Sequence, residues 1–275
     1  MRVFFAQKRA FFARLRPSNK GGLKMVFQTI RKKSPLIHCI TNYVVANFQA
    51  NGLLAIGASP VMADGNDEVE EMVAIASSLL INIGTLNDKT KESMILAGKK
   101  ANAFGIPVVL DPVGAGATTY RKQTVKQLLE EIEFAVIRCN IGELAAIANV
   151  KWQQKGVDSG TGSISLEDEA KRIAQLYHCI VIVTGEKDFI TDGNHQQWIT
   201  GGNPHMTEVT GTGCLLSAIC CAAFVSDNQP YNQLVDVLRC YKKIAEQAGS
   251  TTQYIGDFQI AVLNELYRLS KDGER

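Results

Sequence analysis

The sequence has 275 residues and a formal net charge of +2, and 46% of its residues are hydrophobic, 20% charged and 7% aromatic. This length and composition are typical of a globular protein with a sizeable core, and they argue against a disordered or fibrous chain. No apolar run approaches the roughly 20 residues that span a bilayer. The nearly balanced charge also lacks the dense basic stripe of nucleic-acid-binding domains. We therefore expect neither a membrane nor a nucleic-acid partner.

Seven cysteines are scattered along the chain, with no CxxC pair and no Cys/His spacing typical of zinc sites. An odd number of unclustered cysteines is typical of buried thiols in a reducing compartment. We therefore expect a cytoplasmic protein.

The first 24 residues are rich in Arg, Lys and Phe and contain no acid. A targeting segment or a membrane-surface helix is one interpretation. The other, which we favour, is a mobile extension that results from a start codon ahead of Met25. On this interpretation residues 1-24 are an N-terminal extension and residues 25-275 form a single domain.

From Pro35 onward, apolar runs alternate with amphipathic segments, and Gly, Pro, Asn or Asp mark the turns between them. Continuous apolar runs are typical of parallel strands covered on both faces, and apolar residues at three- and four-residue spacing predict helices. The predicted strands are Leu36–Ile40, Ser59–Met62, Ser78–Ile83, Pro107–Leu110, Ala135–Arg138 and Ile180–Thr184. The predicted helices are Val44–Ala55, Glu68–Ala76, Thr90–Ala103, Gln123–Glu131, Gly142–Ala148, Leu166–Tyr177, Gly213–Val225, Tyr231–Gly249 and Asp257–Leu269.

The pattern changes after Thr184, where Asp188–Asp192 and Gln196–Thr200 flank Gly193-Asn194 and predict a hairpin. The Gly- and Ser-rich segment Lys155–Ser165 predicts a loop. Strands that alternate with helices form βαβ units. The fold class is therefore predicted to be α/β, with three αβα layers, a mostly parallel central sheet and a hairpin at one edge.

The sharpest local motif is Thr210-Gly211-Thr212-Gly213-Cys214, directly before an apolar helix. Glycines allow a tight turn, and the unpaired N–H groups at a helix start attract anions, so Gly211, Thr212 and Gly213 are candidates for an anion hole. An ordinary loop-to-helix turn is the alternative. Cys214 lies in the first helical turn, where the helix dipole lowers a thiol pKa. We expect it to act as the general base, the alternative being a small buried residue.

Polar residues also follow the predicted strands, at the edge where parallel α/β sheets bind ligands. Asp111 is a candidate for binding Mg²⁺, or else a turn-forming residue before Pro112. Arg138, Glu143 and Thr184 follow the next two parallel strands, although ion pairs or helix-start acids would explain the charged ones. Because all these groups fall on one edge, the pattern favours a single ligand site.

From about Pro35 to the C-terminal helix, the sequence closely resembles the hydroxyethylthiazole kinase family. The resemblance implies the ribokinase-like fold and ATP-dependent phosphorylation of the alcohol of 4-methyl-5-(2-hydroxyethyl)thiazole, a salvage step for thiamine synthesis. The motifs that carry it are Cys39-Ile40-Thr41-Asn42, the run from Asn51 to Met62, Asn82-Ile83-Gly84-Thr85-Leu86, the run from Asp111 to Ala117, Arg138-Cys139-Asn140 with Glu143, Thr184-Gly185-Glu186 and Gly211-Thr212-Gly213-Cys214.

The resemblance also implies roles for single residues and an assembly. Members are cyclic homotrimers whose thiazole site lies between subunits, which would explain the wide sequence separation of Asn42 and Met62 from Cys214. The implied thiazole-binding residues are Asn42, Val44, Met62, Gly211 and Cys214; those for ATP are Arg138 and Thr184; those for Mg²⁺ and phosphates are Asp111 and Glu143.

Two features depart from the family pattern, namely Thr212 and the basic, aromatic first 24 residues, which are not typical of the family. The family turn is usually Gly-Ala-Gly-Cys, and Thr212 replaces the Ala here, so its hydroxyl either donates to phosphate or crowds the turn. Related sugar and vitamin kinases carry Asp where this chain has Cys214. Three rival functions stay open: a hydroxymethylpyrimidine or pyridoxal kinase, a dehydratase that repairs hydrated nicotinamide cofactors, and a ligand-binding regulator without turnover.

Overall fold

The fold is described from a computed structural model, which covers residues 25–150, 165–225 and 229–271. The N-terminal extension lies outside these ranges, and so does the predicted Lys155–Ser165 loop apart from its last residue. Within the described residues, no helix combines the length and the apolar character needed to cross a membrane.

The centre of the molecule is an eight-stranded sheet with the order β2-β1-β3-β4-β5-β6-β7-β8. The first six strands are parallel, and the last two are antiparallel and form the hairpin at one edge. The strands are β1 (Leu36–Ile40), β2 (Ser59–Val61), β3 (Ser78–Asn82), β4 (Val108–Asp111), β5 (Val136–Asn140), β6 (Ile180–Thr184), β7 (Asp188–Thr191) and β8 (Gln196–Ile199). The predicted α/β class and the edge hairpin are confirmed.

Helices cover both faces of the sheet and bury two separate apolar clusters against it. One face carries α1 (Met25–Lys33), α2 (Ala46–Ala55), α8 (Thr212–Ala222), α9 (Pro230–Thr251) and α10 (Ile255–Lys271). The other face carries α3 (Val69–Ile75), α4 (Asp88–Phe104), α5 (Thr119–Glu131), α6 (Ile141–Ala148) and α7 (Leu166–Tyr177). The result is the three-layer arrangement that the sequence predicts.

Helix α1 is not among the predicted elements, because the predicted alternation of strands and helices begins only at Pro35. Val26, Phe27 and Ile30 form a buried stripe at helical spacing, and the last turn is basic, as suits the negative end of a helix. The helix packs on α10. A short 3₁₀ helix at Pro204–Thr207, before the glycine turn, was also not predicted.

We predict that Gly57→Ala destabilises the protein more than Gly105→Ala. Both glycines have positive φ angles, 83° and 70°, but an added Cβ at Gly57 would lie 2.8 Å from the Cα of Arg31, whereas Gly105 faces open space. The left-handed backbone alone costs roughly 1–2 kcal/mol, and overpacking adds a similar amount at Gly57.

Urea unfolding of both variants measures the difference in unfolding free energy. Equal losses would show that the contact with Arg31 contributes nothing.

Candidate active site

Four polar side chains lie on the same face of the sheet at its carboxyl edge. Asn82, Asp111 and Thr184 are the last residues of β3, β4 and β6, and Arg138 lies two residues before the end of β5. Side chains alternate between the two faces of a strand. In each of these strands the residue two positions earlier packs in the cluster beneath α8. The alternation therefore directs all four polar groups toward α8.

Helix α8 begins at the glycine turn, and three N–H groups of its first turn precede the first helical hydrogen bond. Gly211 has a φ of 93°, a conformation that favours glycine, and precedes the helix as its N-cap. The first helical hydrogen bond runs from the Leu215 N–H to the Gly211 carbonyl, at 2.7 Å. The N–H groups of Thr212, Gly213 and Cys214 lie ahead of that bond, which is the arrangement that the predicted anion hole requires.

The Arg138 guanidinium lies between the glycine turn and two strand ends. Its Nη1 is 3.7 Å from Asp111 Oδ1, and its Nη2 donates a short hydrogen bond to the Thr184 hydroxyl. A Cβ on Gly213 would lie 2.7 Å from Nη2. Gly213 therefore lets the guanidinium approach the helix start, and the structure joins Arg138, Thr184 and Asp111 as the sequence predicts.

Asp111 is fully buried, and its two oxygens have different surroundings. Oδ2 accepts from Asn82 Nδ2 at 2.9 Å and from the Ser217 hydroxyl at 2.8 Å. Within the described part of the chain, Oδ1 has no hydrogen-bond donor. Burial raises the pKa of this carboxyl, and the charge of Arg138 opposes the rise. Oδ1 is therefore the oxygen left for a ligand.

Glu143 caps the start of α6 and also forms a hydrogen bond with the loop that follows β4. Its Oε2 accepts from the Asn140 N–H at 2.8 Å, and Oε1 accepts from the Gly114 N–H at 2.9 Å. Burial and then the nearby Asp111 charge raise its pKa. The interpretation as a helix-start acid is confirmed, and any role toward a metal must use the remaining lone pairs of these two oxygens.

The expected low pKa of Cys214 is wrong. Burial raises the pKa of this thiol to about 12, and the charge of Asp111 adds to the rise. Its Sγ lies 3.8 Å from Asn42 Nδ2, and its carbonyl accepts from Gln49 Nε2 at 2.7 Å. Cys214 is thus a neutral thiol in contact with Asn42, which contradicts the expectation of a thiolate base.

Besides Cys214 and Gly211, three residues are expected to bind the thiazole, and among them Asn42 contacts this thiol. Asn42 is buried and reaches Cys214 within one chain, so their sequence separation does not require a second subunit. Met62 follows β2, packs against the core and is partly buried. Val44 is 61% exposed, and it is Val45 whose side chain would contact a Cβ on Gly211.

Thr212 has a partner within the chain. Its hydroxyl is buried and donates to the Met206 carbonyl at 2.6 Å, so its proton is not directed to a phosphate. The Tyr241 hydroxyl donates to the Thr212 carbonyl at 2.8 Å. Thr212 therefore fastens the glycine turn to the preceding 3₁₀ helix.

Two residues that the sequence analysis assigned no role connect the parts of the site. Gln49 is fully buried, accepts from the Thr41 hydroxyl at 2.7 Å and donates to Cys214. Asn82 contacts both Asn42 and Asp111. The sequence does hold a signal for this role of Asn82, because a polar residue ends a strand that is mostly apolar. Strand alternation then places its side chain on the same face of the sheet as Asp111.

Arg121 is a third residue without a predicted role, and it joins the loops after β3 and β4. Its guanidinium donates to the carbonyls of Ile83 at 2.6 Å, Gly84 at 2.5 Å and Val113 at 2.7 Å. The predicted helix began at Gln123, whereas α5 begins at Thr119 and includes Arg121 in its first turn.

An arginine, buried carboxylates and a helix start at the carboxyl edge of the sheet, in a three-layer α/β fold, are features that a phosphotransferase of the ribokinase-like class requires. A ribokinase-like superfamily protein from Enterococcus faecalis shares the fold, with a TM-score of 0.63 at 13% identity over 96% of this chain and 95% of that one.

The chain belongs to the hydroxyethylthiazole kinase family, whose model matches residues 27–272. It is 73% identical to a hydroxyethylthiazole kinase of Lysinibacillus sphaericus, over 91% of this chain and 98% of that protein. The structure of a hydroxyethylthiazole kinase protein from Pyrococcus horikoshii has a TM-score of 0.81 at 35% identity, covering 90% of this chain and 92% of the other. The chain is thus a kinase of this family.

We predict that the Cys214 thiol of the native protein reacts with iodoacetamide at least about tenfold more slowly at about pH 8 than the same residue in urea. A pKa of about 12 leaves little thiolate. Mass spectrometry of the labelled peptide gives the rate. The native rate should keep rising with pH, and a plateau near neutral pH would contradict the raised pKa.

We predict that Thr212→Ala keeps kinase activity within about twofold and loses about 1 kcal/mol of stability, since one neutral hydrogen bond is removed. The lost bond joins the side chain to Met206 and not to a substrate. Turnover assays and thermal unfolding check both parts. A large fall in turnover with unchanged stability would show that the hydroxyl does serve the phosphate.

Proposed function

We propose that this kinase transfers the γ-phosphoryl group of Mg-ATP to the hydroxyl of 4-methyl-5-(2-hydroxyethyl)thiazole, in the cytoplasm, to supply the thiazole phosphate for thiamine synthesis. Family membership over residues 27–272 supports the substrate. The observation that carries the chemistry is the position of Arg138, between Asp111 and the first turn of α8.

Positioning and electrostatics would supply most of the rate enhancement. In phosphoryl transfer, negative charge spreads over the equatorial oxygens, and fixed donors stabilise it without reorganisation. The N–H groups of residues 212–214 would bind these oxygens. Arg138 presents a planar fork of donors beside them, and its contact with Thr184 holds that fork in place.

Cys214 would orient the alcohol rather than remove its proton. A thiol with a pKa of about 12 is almost fully protonated near neutral pH. The loose transition state of phosphoryl transfer forms little bond to the attacking oxygen, so a strong base is not required early. The contact of Cys214 with Asn42 supports this role, in which the thiol would line the alcohol site.

The carboxylates fit a magnesium ion that is held largely by the substrate. Within the described ranges, no group of three or more His, Cys, Asp or Glu residues could hold a metal alone. Mg²⁺ usually takes one or two carboxylates and completes its shell with phosphates and water. Asp111, whose Oδ1 accepts no hydrogen bond among the described residues and lies 3.7 Å from Arg138 Nη1, and Glu143 would match that requirement. The ion would neutralise phosphate charge.

We predict that Arg138→Met lowers kcat/KM for the thiazole alcohol at least about 100-fold, since one preorganised donor to a transition state contributes that much. Arg239→Met is the control, because Arg239 pairs with Asp236 on the surface of α9. ADP release with Mg-ATP measures turnover. Release with hydroxymethylpyrimidine but not with the thiazole alcohol would overturn the proposed substrate.

A cyclic homotrimer is the assembly we propose. Tyr43 and Val44 are 82% and 61% exposed and directly follow Asn42, so an apolar surface lies beside the alcohol site. We expect light scattering to give three times the chain mass of 30.0 kDa, and Val44→Glu to lower it. A parent protein that elutes as a monomer would contradict the trimer.

A further inference from the structure

Asn82 occupies the centre of the hydrogen-bond network between the two ends of the site. We propose that it is a positioning residue that fixes the alcohol-binding end relative to the phosphoryl-binding end. The proposal rests on the proposed function, since it assigns Asn42 to the alcohol and Asp111 to the phosphates.

The amide of Asn82 has a single orientation that satisfies its neighbours. Its Oδ1 accepts from Asn42 Nδ2 at 2.8 Å and from the Gly84 N–H at 2.9 Å, and its Nδ2 donates to Asp111 Oδ2 at 2.9 Å. A flipped amide would set N–H against N–H at Gly84 and oxygen against carboxylate at Asp111. Because Asn82 is 1% exposed, water cannot readily replace these partners.

At the alcohol end, the contact fixes the side chain that touches Cys214. The Asn42 amide that donates to Asn82 also lies 3.8 Å from Cys214 Sγ. Gly84 makes room for it, since an added Cβ there would lie 2.5 Å from Asn42 Nδ2. Asn82 therefore determines where the Asn42 amide points.

At the phosphoryl end, the contact determines which oxygen of Asp111 faces Arg138. Asn82 and Ser217 both donate to Oδ2, so Oδ1 is directed to Arg138. Without Asn82, the carboxylate would rotate more freely and Oδ1 would lose its fixed direction. One buried amide thus sets the geometry at both ends.

The experiment compares variants that remove the contact of Asn82 with Asn42, its contact with Asp111, or both. Asn82→Leu removes both contacts, Asn82→Asp keeps an acceptor for Asn42 and Gly84 but sets a second carboxylate against Asp111, and Asn42→Leu breaks only the contact at the alcohol end. Asn102→Leu is the matched control, because Asn102 also bridges through two hydrogen bonds to the Glu133 main chain. It lies near the end of α4, which returns to the amino edge of the sheet.

We expect Asn82→Leu to raise the alcohol KM and to lower kcat, each by about tenfold, with the ATP KM nearly unchanged. Asn82→Asp should lower kcat about tenfold and leave the alcohol KM within about twofold. Asn42→Leu should raise the alcohol KM, and the double leucine variant should raise it no further, since both changes break one contact. Asn102→Leu should change only the melting temperature.

A purely structural role would give a different pattern. If the Asn82 variants lower the melting temperature or the active fraction but leave KM and kcat per active site unchanged, the proposal is wrong. It is equally wrong if the effects of Asn42→Leu and Asn82→Leu on the alcohol KM multiply. If Asn82→Leu does not fold, the near-isosteric Asn82→Asp still decides.

The same experiment separates this proposal from the proposed function. A parent enzyme that turns over another alcohol but not the thiazole refutes the substrate, and the split between KM and kcat measured with that alcohol still tests Asn82. A parent enzyme that turns over the thiazole while Asn82 variants match Asn102→Leu refutes the positioning role alone.

Discussion

The buried ion pair of Arg138 and Asp111 is the interaction on which the site depends. Burying two charges costs several kcal/mol per ion unless the pair is close and its other atoms are hydrogen-bonded. The pair is 3.7 Å apart, and among the described residues Asp111 Oδ1 and Arg138 Nε have no hydrogen-bond partner. Such unsatisfied atoms in a native protein call for a reason. Here the reason we propose is a ligand that completes them, while Asn82 and Thr184 hold the pair until it binds.

Burial, and after it the charge of Asp111, explains why the thiol prediction failed, although Arg138 opposes the rise in pKa. A helix start stabilises an anion by about 0.3–1 kcal/mol at an exposed position and up to about 2 when partly buried. Burial and a neighbouring carboxylate oppose a thiolate by more than that, so the pKa of Cys214 rises to about 12. The glycine motif reveals the helix start, but neither the burial nor the approach of Asp111 is visible in the local sequence.

Features that a local sequence pattern encodes are predicted well, and features that depend on burial or on distant residues are not. The bounds of β1 and β6 are predicted to the residue, because continuous apolar runs reveal strands covered on both faces. The predicted ends of β4 and β5 are too early, because Asp111 and Asn140 continue the strands with polar side chains. Contacts such as that of Arg121 with Gly84 depend on the packing of helices and loops far apart in sequence, which no local pattern encodes.

The positions of these residues also indicate which parts of the site a single chain supplies. Asn42, Asp111, Arg138 and Cys214 come together within one chain. Their relative positions can then be fixed by folding alone, to the precision that phosphoryl transfer requires. Val44 is exposed beside them. Association of subunits would bury this apolar surface, and burial of apolar surface drives association without directional contacts. In the trimer that we propose, folding would therefore fix the chemistry and assembly would enclose the thiazole.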